Sequence, residues 1–362
     1  MFNAMFKSLK IKNFRGVESL ELQDLNQINI FVGENGVGKT TLLDAVFIGI
    51  NPNNAELAFR TNMFRGLENV DEDFWRLYFY NLDSENIIQI DLDGQYSRKI
   101  RVGPYFYTKE TISLEKEDDK NKIRSVATAE SGLKKLVGLR TAFGRWGEEH
   151  KTMYQAKIFQ DEKGIHWKGD NDYQELLNGN YMNNRTVSDN VNLFRKFAEI
   201  STANKEGIVL KMLQDLEPNI QDIESHTIKG IVIKDKRFSR KVSINIYGDG
   251  ILRCMHLICN VLEYDSGITL IDEIENGLHI NSREKVWGTI FNLLQQKENR
   301  QIFATTHSYE IVESLFRVAK KVNKENLISL LRLQKDRNEK MIVVKYSEEE
   351  LEYALQNKDE IR

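Results

Sequence analysis

The chain has 362 residues, of which 41% are hydrophobic and 29% charged, with three prolines and a formal net charge of −3. That length accommodates about two compact units, and the composition excludes disordered and fibrous classes. The slightly negative balance argues against a protein coated in nucleic acid, while leaving room for a local basic groove.

Positions 1–15 lack an apolar signal-sequence core and run directly into a strand pattern, so no signal peptide is expected. Residues 9–14 and 17–22 alternate apolar and polar side chains around Arg15-Gly16, which predicts a hairpin. Residues 28–32 are an apolar run ending at Gly33, the pattern of a buried strand feeding a glycine-rich turn. After Lys39 a helix pattern begins, with Leu42, Leu43, Ala45, Val46 and Ile50, and Asn51-Pro52 stops it. Residues 87–92 and 96–102, joined at Asp93-Gly94, predict a second hairpin. From 104 to 240 the pattern weakens: charged runs such as 115–122 alternate with helical stretches at 191–198 and 208–216, without sustained heptads.

Order returns with a strand at 242–246, a helix from Ile251, a strand at 268–271, a helix through 287–294 and a strand at 301–305. A hairpin-like stretch (327–333, then 341–346) and a short acidic helix from Ser347 complete the chain. The most apolar stretch, 251–271, is interrupted by Arg253, Glu263 and Asp265, so no membrane span or membrane partner is expected. Cys254 and Cys259 point in different directions on a helix, so no disulfide is expected; a reducing, cytoplasmic location is.

The chemistry concentrates in few places. Gly33-Glu34-Asn35-Gly36-Val37-Gly38-Lys39-Thr40 matches the P-loop pattern at each fixed position. Glycines let the backbone wrap phosphate oxygens, and the loop N–H groups and helix N-terminus face the anion. Lys39 reaches the β- and γ-phosphates of ATP, the Thr40 hydroxyl coordinates Mg2+, and Thr41 completes the nucleotide-binding set. Ile268-Thr269-Leu270-Ile271-Asp272-Glu273 reads as a buried strand that delivers two carboxylates at its C-terminal edge. Asp272 is expected to hold Mg2+ through water, and Glu273 to polarise the attacking water. His307, just past the next strand in Ala304-Thr305-Thr306-His307-Ser308, is placed as a γ-phosphate sensor. Lys39, Glu273 and His307 are thus the catalytic candidates. Tyr247-Gly248-Asp249-Gly250 is either a turn with a helix cap or a second phosphate-facing helix N-terminus.

Lys12-Asn13-Phe14-Arg15-Gly16, then the P-loop, a long insertion, Gly-Asp-Gly, Ile-Asp-Glu and Thr-His-Ser occur in an order that resembles the ABC-type ATPase heads of the SMC/RecF/OLD group. The stretch Ile271-Asp272-Glu273-Ile274-Glu275-Asn276-Gly277-Leu278-His279 resembles stand-alone bacterial OLD-like ATPases, which lack an appended TOPRIM domain. The likeness covers both ends of the chain and is vague between 105 and 200. It implies an α/β ABC-ATPase head with a mixed, largely parallel P-loop sheet, an N-terminal antiparallel β subdomain and an inserted helical lobe. The corresponding parts are 1–104, a mostly helical 105–240, and 241–362.

In such heads two subunits sandwich two ATP molecules. Gly248, Asp249 and Gly250 would be the signature loop on the partner's γ-phosphate, His307 the switch histidine, and Asn13 and Arg15 neighbours of the base or ribose. The loop lacks the Ser-Gly-Gly core of transporters, and no Q-loop glutamine can be placed, Gln89 lying mid-strand.

The resemblance implies a dimerising ATPase that senses or regulates a separate effector in phage defence, with a TOPRIM- or HNH-type nuclease as candidate partner. The alternative is a RecF-like DNA-binding repair ATPase. Asp91 with Asp93, and Asp118-Asp119-Lys120, read as a hairpin's solvent face and a charge run rather than as nuclease ligands. Fourteen basic against eight acidic residues between positions 98 and 157 make nucleic acid a further candidate partner.

Overall fold

A computed structural model describes residues 5–107, 135–145, 153–187, 190–228, 230–296 and 299–357. Strands β1 (Ser8–Phe14) and β2 (Val17–Leu22) form the first hairpin, closed by the Phe14–Val17 pair, with Leu9, Ile11, Leu20 and Leu22 buried on one face. Strand β3 (Ile28–Val32) is buried at each residue and leads through the glycine-rich turn into α1 (Lys39–Ile50). Helices α2 (Glu56–Phe64) and α3 (Glu72–Arg76) precede the second hairpin, β4 (Ile88–Asp93) and β5 (Arg98–Tyr107). Strands β6 (Lys135–Arg145), β7 (Tyr154–Asp161) and β8 (Gly164–Lys168) extend it into an antiparallel sheet of order β2-β1-β4-β5-β6-β7-β8.

The chain then enters a second sheet at β9 (Gly179–Met182) and runs through α4 (Asn184–Val187), α5 (Asn190–Thr202) and α6 (Glu206–Leu216). A small antiparallel sheet follows, from β10 (Ile220–His226), β11 (Gly230–Asp235) and β12 (Val242–Ser243). The remaining elements are α7 (Asp249–Leu262), β13 (Gly267–Ile271), α8 (Ile280–Gln296), β14 (Arg300–Thr305) and α9 (Tyr309–Val322). Strands β15 (Ile328–Lys335) and β16 (Met341–Lys345) and helix α10 (Glu348–Asn357) close the described chain.

The second sheet has the order β16-β15-β3-β14-β13-β9 and is parallel except at β16. Parallel strands covered on both faces read as continuous apolar runs, which is why β3, β13 and β14 are so legible. One face packs Phe31, Ile268, Leu270 and Phe303 against α1 and the inner side of the antiparallel sheet. The other packs Ile28, Ile30 and Ile302 against α7, α8 and α9. Each such large side chain removed from water contributes about 1.5–3 kcal/mol. Both cysteines are buried and free, and burial pushes their thiols up to about 11 for Cys254 and about 12 for Cys259. Among the described residues no helix is long and apolar enough to cross a membrane.

Two expectations need correction. Among its described residues the span 105–240 is not mostly helical: helices occupy 184–187, 190–202 and 206–216, whereas 135–145, 154–161 and 164–168 are strands continuing the antiparallel sheet. In β6 the cause is a bulge. Tyr105 pairs with Gly138 but Phe106 with Leu136, so Val137 is an extra residue. The buried set Leu136, Leu139, Thr141, Phe143 therefore slips by one and masks the period of two. The strand expected at 242–246 is only two residues long before the chain turns into a 3-10 helix at Ile244–Tyr247. The run 115–122, with Asp118-Asp119-Lys120, lies outside the described residues.

Candidate nucleotide site

Because β3, β14 and β13 are parallel neighbours, their C-terminal ends bring residues 33–40, His307 and Asp272-Glu273 to one edge of the sheet. Gly33, Gly36 and Gly38 have φ of 141°, 75° and 106°, and a Cβ on Gly33 would stand 2.3 Å from the Leu333 carbonyl oxygen. Glycine alone fits there. Helix α1 starts at Gly38 without a side-chain cap, so its first N–H groups remain for an anion. Lys39 Nζ donates to the Gly33 and Glu34 carbonyls at 2.7 and 2.8 Å and lies 3.3 Å from His307 Nδ1. Burial lowers the Lys39 pKa, while Asp272, Glu275 and Glu273 oppose that shift. A phosphate oxygen competes for this ammonium with a stronger, charge-assisted bond. Glu34, Asn35 and Gly36 are exposed, whereas Val37 and Thr41 turn their side chains into the core.

Thr40 Oγ1 stands 3.2 Å from both carboxylate oxygens of Asp272, and Thr305 donates to Asp272 Oδ1 at 2.6 Å. Burial holds the Asp272 carboxyl above the ordinary range, against the pull of the Thr305 and Thr40 hydroxyls. Octahedral Mg2+ binds oxygens at about 2.1 Å, which puts neighbouring ligand atoms about 3.0 Å apart. A hydroxyl and a desolvated carboxylate at near that separation fit the ion, so Thr40 and Asp272 would hold it.

Glu273 adopts a left-handed backbone, with φ of 53°. Its N–H donates to Thr305 Oγ1 at 2.8 Å and its carbonyl accepts from Arg253 at 3.3 Å, which stabilises a conformation costly for a side-chain-bearing residue. Its Oε2 accepts from Asn276 at 2.6 Å and Asn184 at 3.0 Å, and Asn276 also donates to Asn184 Oδ1 at 3.0 Å. The His307 N–H donates to Glu275 Oε1 at 2.7 Å. Gly33, Glu34, Asn35, Glu273, Glu275, Asn276 and His307 line a cleft of about 450 Å³.

An AAA domain family, described with the AbiEii toxin and type IV toxin–antitoxin systems, matches residues 158–313. The chain is an ATP hydrolase. A family of proteins of unknown function (DUF2813) matches residues 4–92. Over 376 residues the ATPase is 24% identical to an ATP/GTP phosphatase of Helicobacter pylori, covering 99% of this chain and 100% of that protein. The DNA replication and repair protein RecF of Shewanella frigidimarina is 30% identical over 95 residues, 26% of this chain and 25% of that protein. Among solved structures, an SmcHead bound to the C-winged helix domain of ScpA superposes with a TM-score of 0.51 at 12% identity, covering 96% of this chain and 99% of that one. That likeness establishes a shared fold.

Other expected residues of the ATPase lie elsewhere. The Arg15 side chain is mostly shielded from solvent, its Nε 3.3 Å from Asp44 Oδ2 and its Nη2 donating to Thr61 at 2.8 Å, with the guanidinium 5.0 Å above the Tyr78 ring. Burial lowers its pKa and Asp44 counters that. Arg65, 2.7 Å from Asp44, shares the same carboxylate. Asn13 donates to the Ile87 carbonyl at 3.2 Å. Neither Asn13 nor Arg15 lines the cleft. Gly248 (φ 76°) and Asp249 are exposed at the start of α7, and Gly250 approaches Gly277.

Asn184, Asn276, Glu275, Thr305 and Arg253 are site residues that reading the sequence missed. Glu275 and Asn276 lie in the stretch after the acid pair and Thr305 in the stretch around His307, so their positions were visible but their roles were not. Asn184 follows β9, whose four residues carry no strand signal, and Arg253 sits on α7, where it reads as an interruption of an apolar helix.

Proposed function

We propose that this ATPase works as a dimer that closes over two ATP molecules, and that a separate effector reads the closed state in defence against phage. The observation that carries the dimer reading is the turn Gly248-Asp249-Gly250. It faces solvent at the N-terminus of a 14-residue helix, and no hydrogen bond joins it to residues 33–40 among the described residues. An open helix N-terminus favours an anion, and the γ-phosphate on a second head supplies one. From the same helix Arg253 reaches the Glu273 carbonyl, so a partner's phosphate and this chain's acid are linked through one rigid element.

Within each site Lys39 and the loop N–H groups hold the phosphates. Asn184 and Asn276 both bind Glu273 Oε2, which leaves Oε1 to accept a proton from the attacking water. His307, anchored by Glu275, lies beside Lys39 at the γ-phosphate end. Mg2+, when bound at Thr40 and Asp272, neutralises phosphate charge. The Helicobacter relative is named for both ATP and GTP, and we take ATP as substrate with GTP as competitor.

The defence reading is supported by the toxin–antitoxin description of the matching AAA family and by the OLD-like stretch 271–279. A RecF-like repair ATPase is the second reading, favoured by the 95-residue match to RecF. Light scattering of the Glu273→Gln protein tests the dimer. It should be monomeric alone and dimeric with ATP; a monomer in both conditions, beside a wild type with full turnover, sinks the model. A tagged pull-down with and without ATP tests the effector, which should copurify in a nucleotide-dependent way. Capture of DNA-repair proteins instead would favour the second reading.

A further inference from the structure

The outer face of the seven-stranded sheet carries a row of cationic groups. Paired positions on neighbouring strands run Gly103 (β5), Arg140 (β6), Lys157 (β7) and Lys168 (β8). Strands lie about 4.8 Å apart, so three cationic side chains leave one face within about 10 Å. Like charges directly opposite destabilise a sheet. No ion pair joins Arg140 or Lys168 to another described residue. Lys157 lies over the Tyr105 and Phe159 rings, 5.2 and 5.1 Å from their centroids. The adjacent row, Tyr105, Gly138, Phe159 and His166, adds aromatic surface, with 5.2 Å between the Tyr105 and Phe159 centroids.

The turn after β8 folds over the end of the cationic row. Asn53 fixes it: the Asp170 N–H donates to Asn53 Oδ1 at 2.6 Å, and Asn53 Nδ2 donates back to the Asp170 carbonyl at 3.1 Å. The result is a cavity of about 640 Å³, lined by Tyr105, Arg140, Lys157 and Lys168 together with Asp170 and Asp172. That volume suits a small ligand.

We infer that this cavity binds a free nucleotide, separate from the one at the P-loop. Arg140 and Lys168 take the phosphates, the Tyr105 ring offers a face to the base, and the Asp170 and Asp172 carboxylates accept the ribose hydroxyls. The two carboxylates decide between a nucleotide and a nucleic-acid strand: they suit hydroxyl donors and repel a phosphodiester that continues past the row. Asn53 follows the end of α1, so the turn lining this cavity is anchored beside the helix that begins at Lys39.

Equilibrium dialysis of the full chain with labelled ATP tests this. Wild type should bind two nucleotides per chain and Lys39→Ala one. Arg140→Glu with Lys168→Glu should also bind one, with outer-site affinity reduced at least about tenfold and phosphate release at the P-loop retained as proof of folding. If the double variant fails to fold, Lys168→Gln at the end of the edge strand gives the same readout. One nucleotide per wild-type chain, or two on a folded double variant, overturns the assignment. So does an oligothymidylate that occupies Lys39→Ala where ATP does not, since the ligand is then a strand.

Discussion

Asn184, Asn276 and Glu273 form a closed hydrogen-bonded triangle, with edges of 3.0, 2.6 and 3.0 Å. Replacing Asn276 with Ala removes the shortest contact to the carboxylate and leaves Asn184 alone to orient it. A hydrogen bond to a charged acceptor contributes about 1.5–3 kcal/mol, and each 1.36 kcal/mol off transition-state stabilisation is about tenfold in rate. Asn276→Ala should therefore lower kcat by about 10- to 100-fold, and Asn184→Ala, which loses a longer bond, by about tenfold. KM for ATP should hold, because no edge of the triangle includes a residue of 33–40. Since the asparagines act as one unit, the double variant should be little worse than Asn276→Ala, well short of the product of the single losses. Steady-state phosphate release with saturating Mg2+ measures all four proteins. Single variants within twofold of wild-type kcat, or a loss confined to KM, would refute the claim that the triangle sets the position of the base.

Glu273→Gln should reduce kcat by about 10²–10⁴-fold while ATP still binds, because only proton acceptance is removed; turnover near wild type in the same assay would falsify the assignment. Asp44→Ala leaves Arg15 and Arg65 without their shared carboxylate, and should destabilise the fold by about 3–5 kcal/mol in denaturant titration. A loss near zero there would mean that water reaches both guanidinium groups. Asp235 is held below its ordinary 3.8, first by the hydrogen bonds of Arg237 and then by the Tyr247 hydroxyl. Its contribution is present above 3.8 and is lost as pH falls from there towards the lower folded value. Asp235→Asn should thus lower Tm at neutral pH and flatten its decline in acid; an unchanged acid limb would place that decline on other carboxylates.

The features legible in the sequence are those whose partners are close along the chain. The P-loop needs a strand, three glycines and a helix start within about a dozen residues, and the sequence shows all of them between Ile28 and Leu43. The hairpins at Arg15-Gly16 and Asp93-Gly94, and the apolar runs of β3, β13 and β14, are equally local. What pairs with what is not local. Asn184 lies 89 residues before Glu273 and meets it because β9 adds to β13 as an edge strand, a pairing that its four residues do not announce. Arg15 looked like a ligand contact because it stands in a recognisable opening motif, but Asp44 and Thr61 claim it inside the core. Strand β6 escaped notice because one bulged residue breaks the alternation that marks a half-buried strand. Local backbone preference and apolar period are written residue by residue, whereas burial, strand order and ion pairing depend on which distant segments share a face, and only the folded chain sets that.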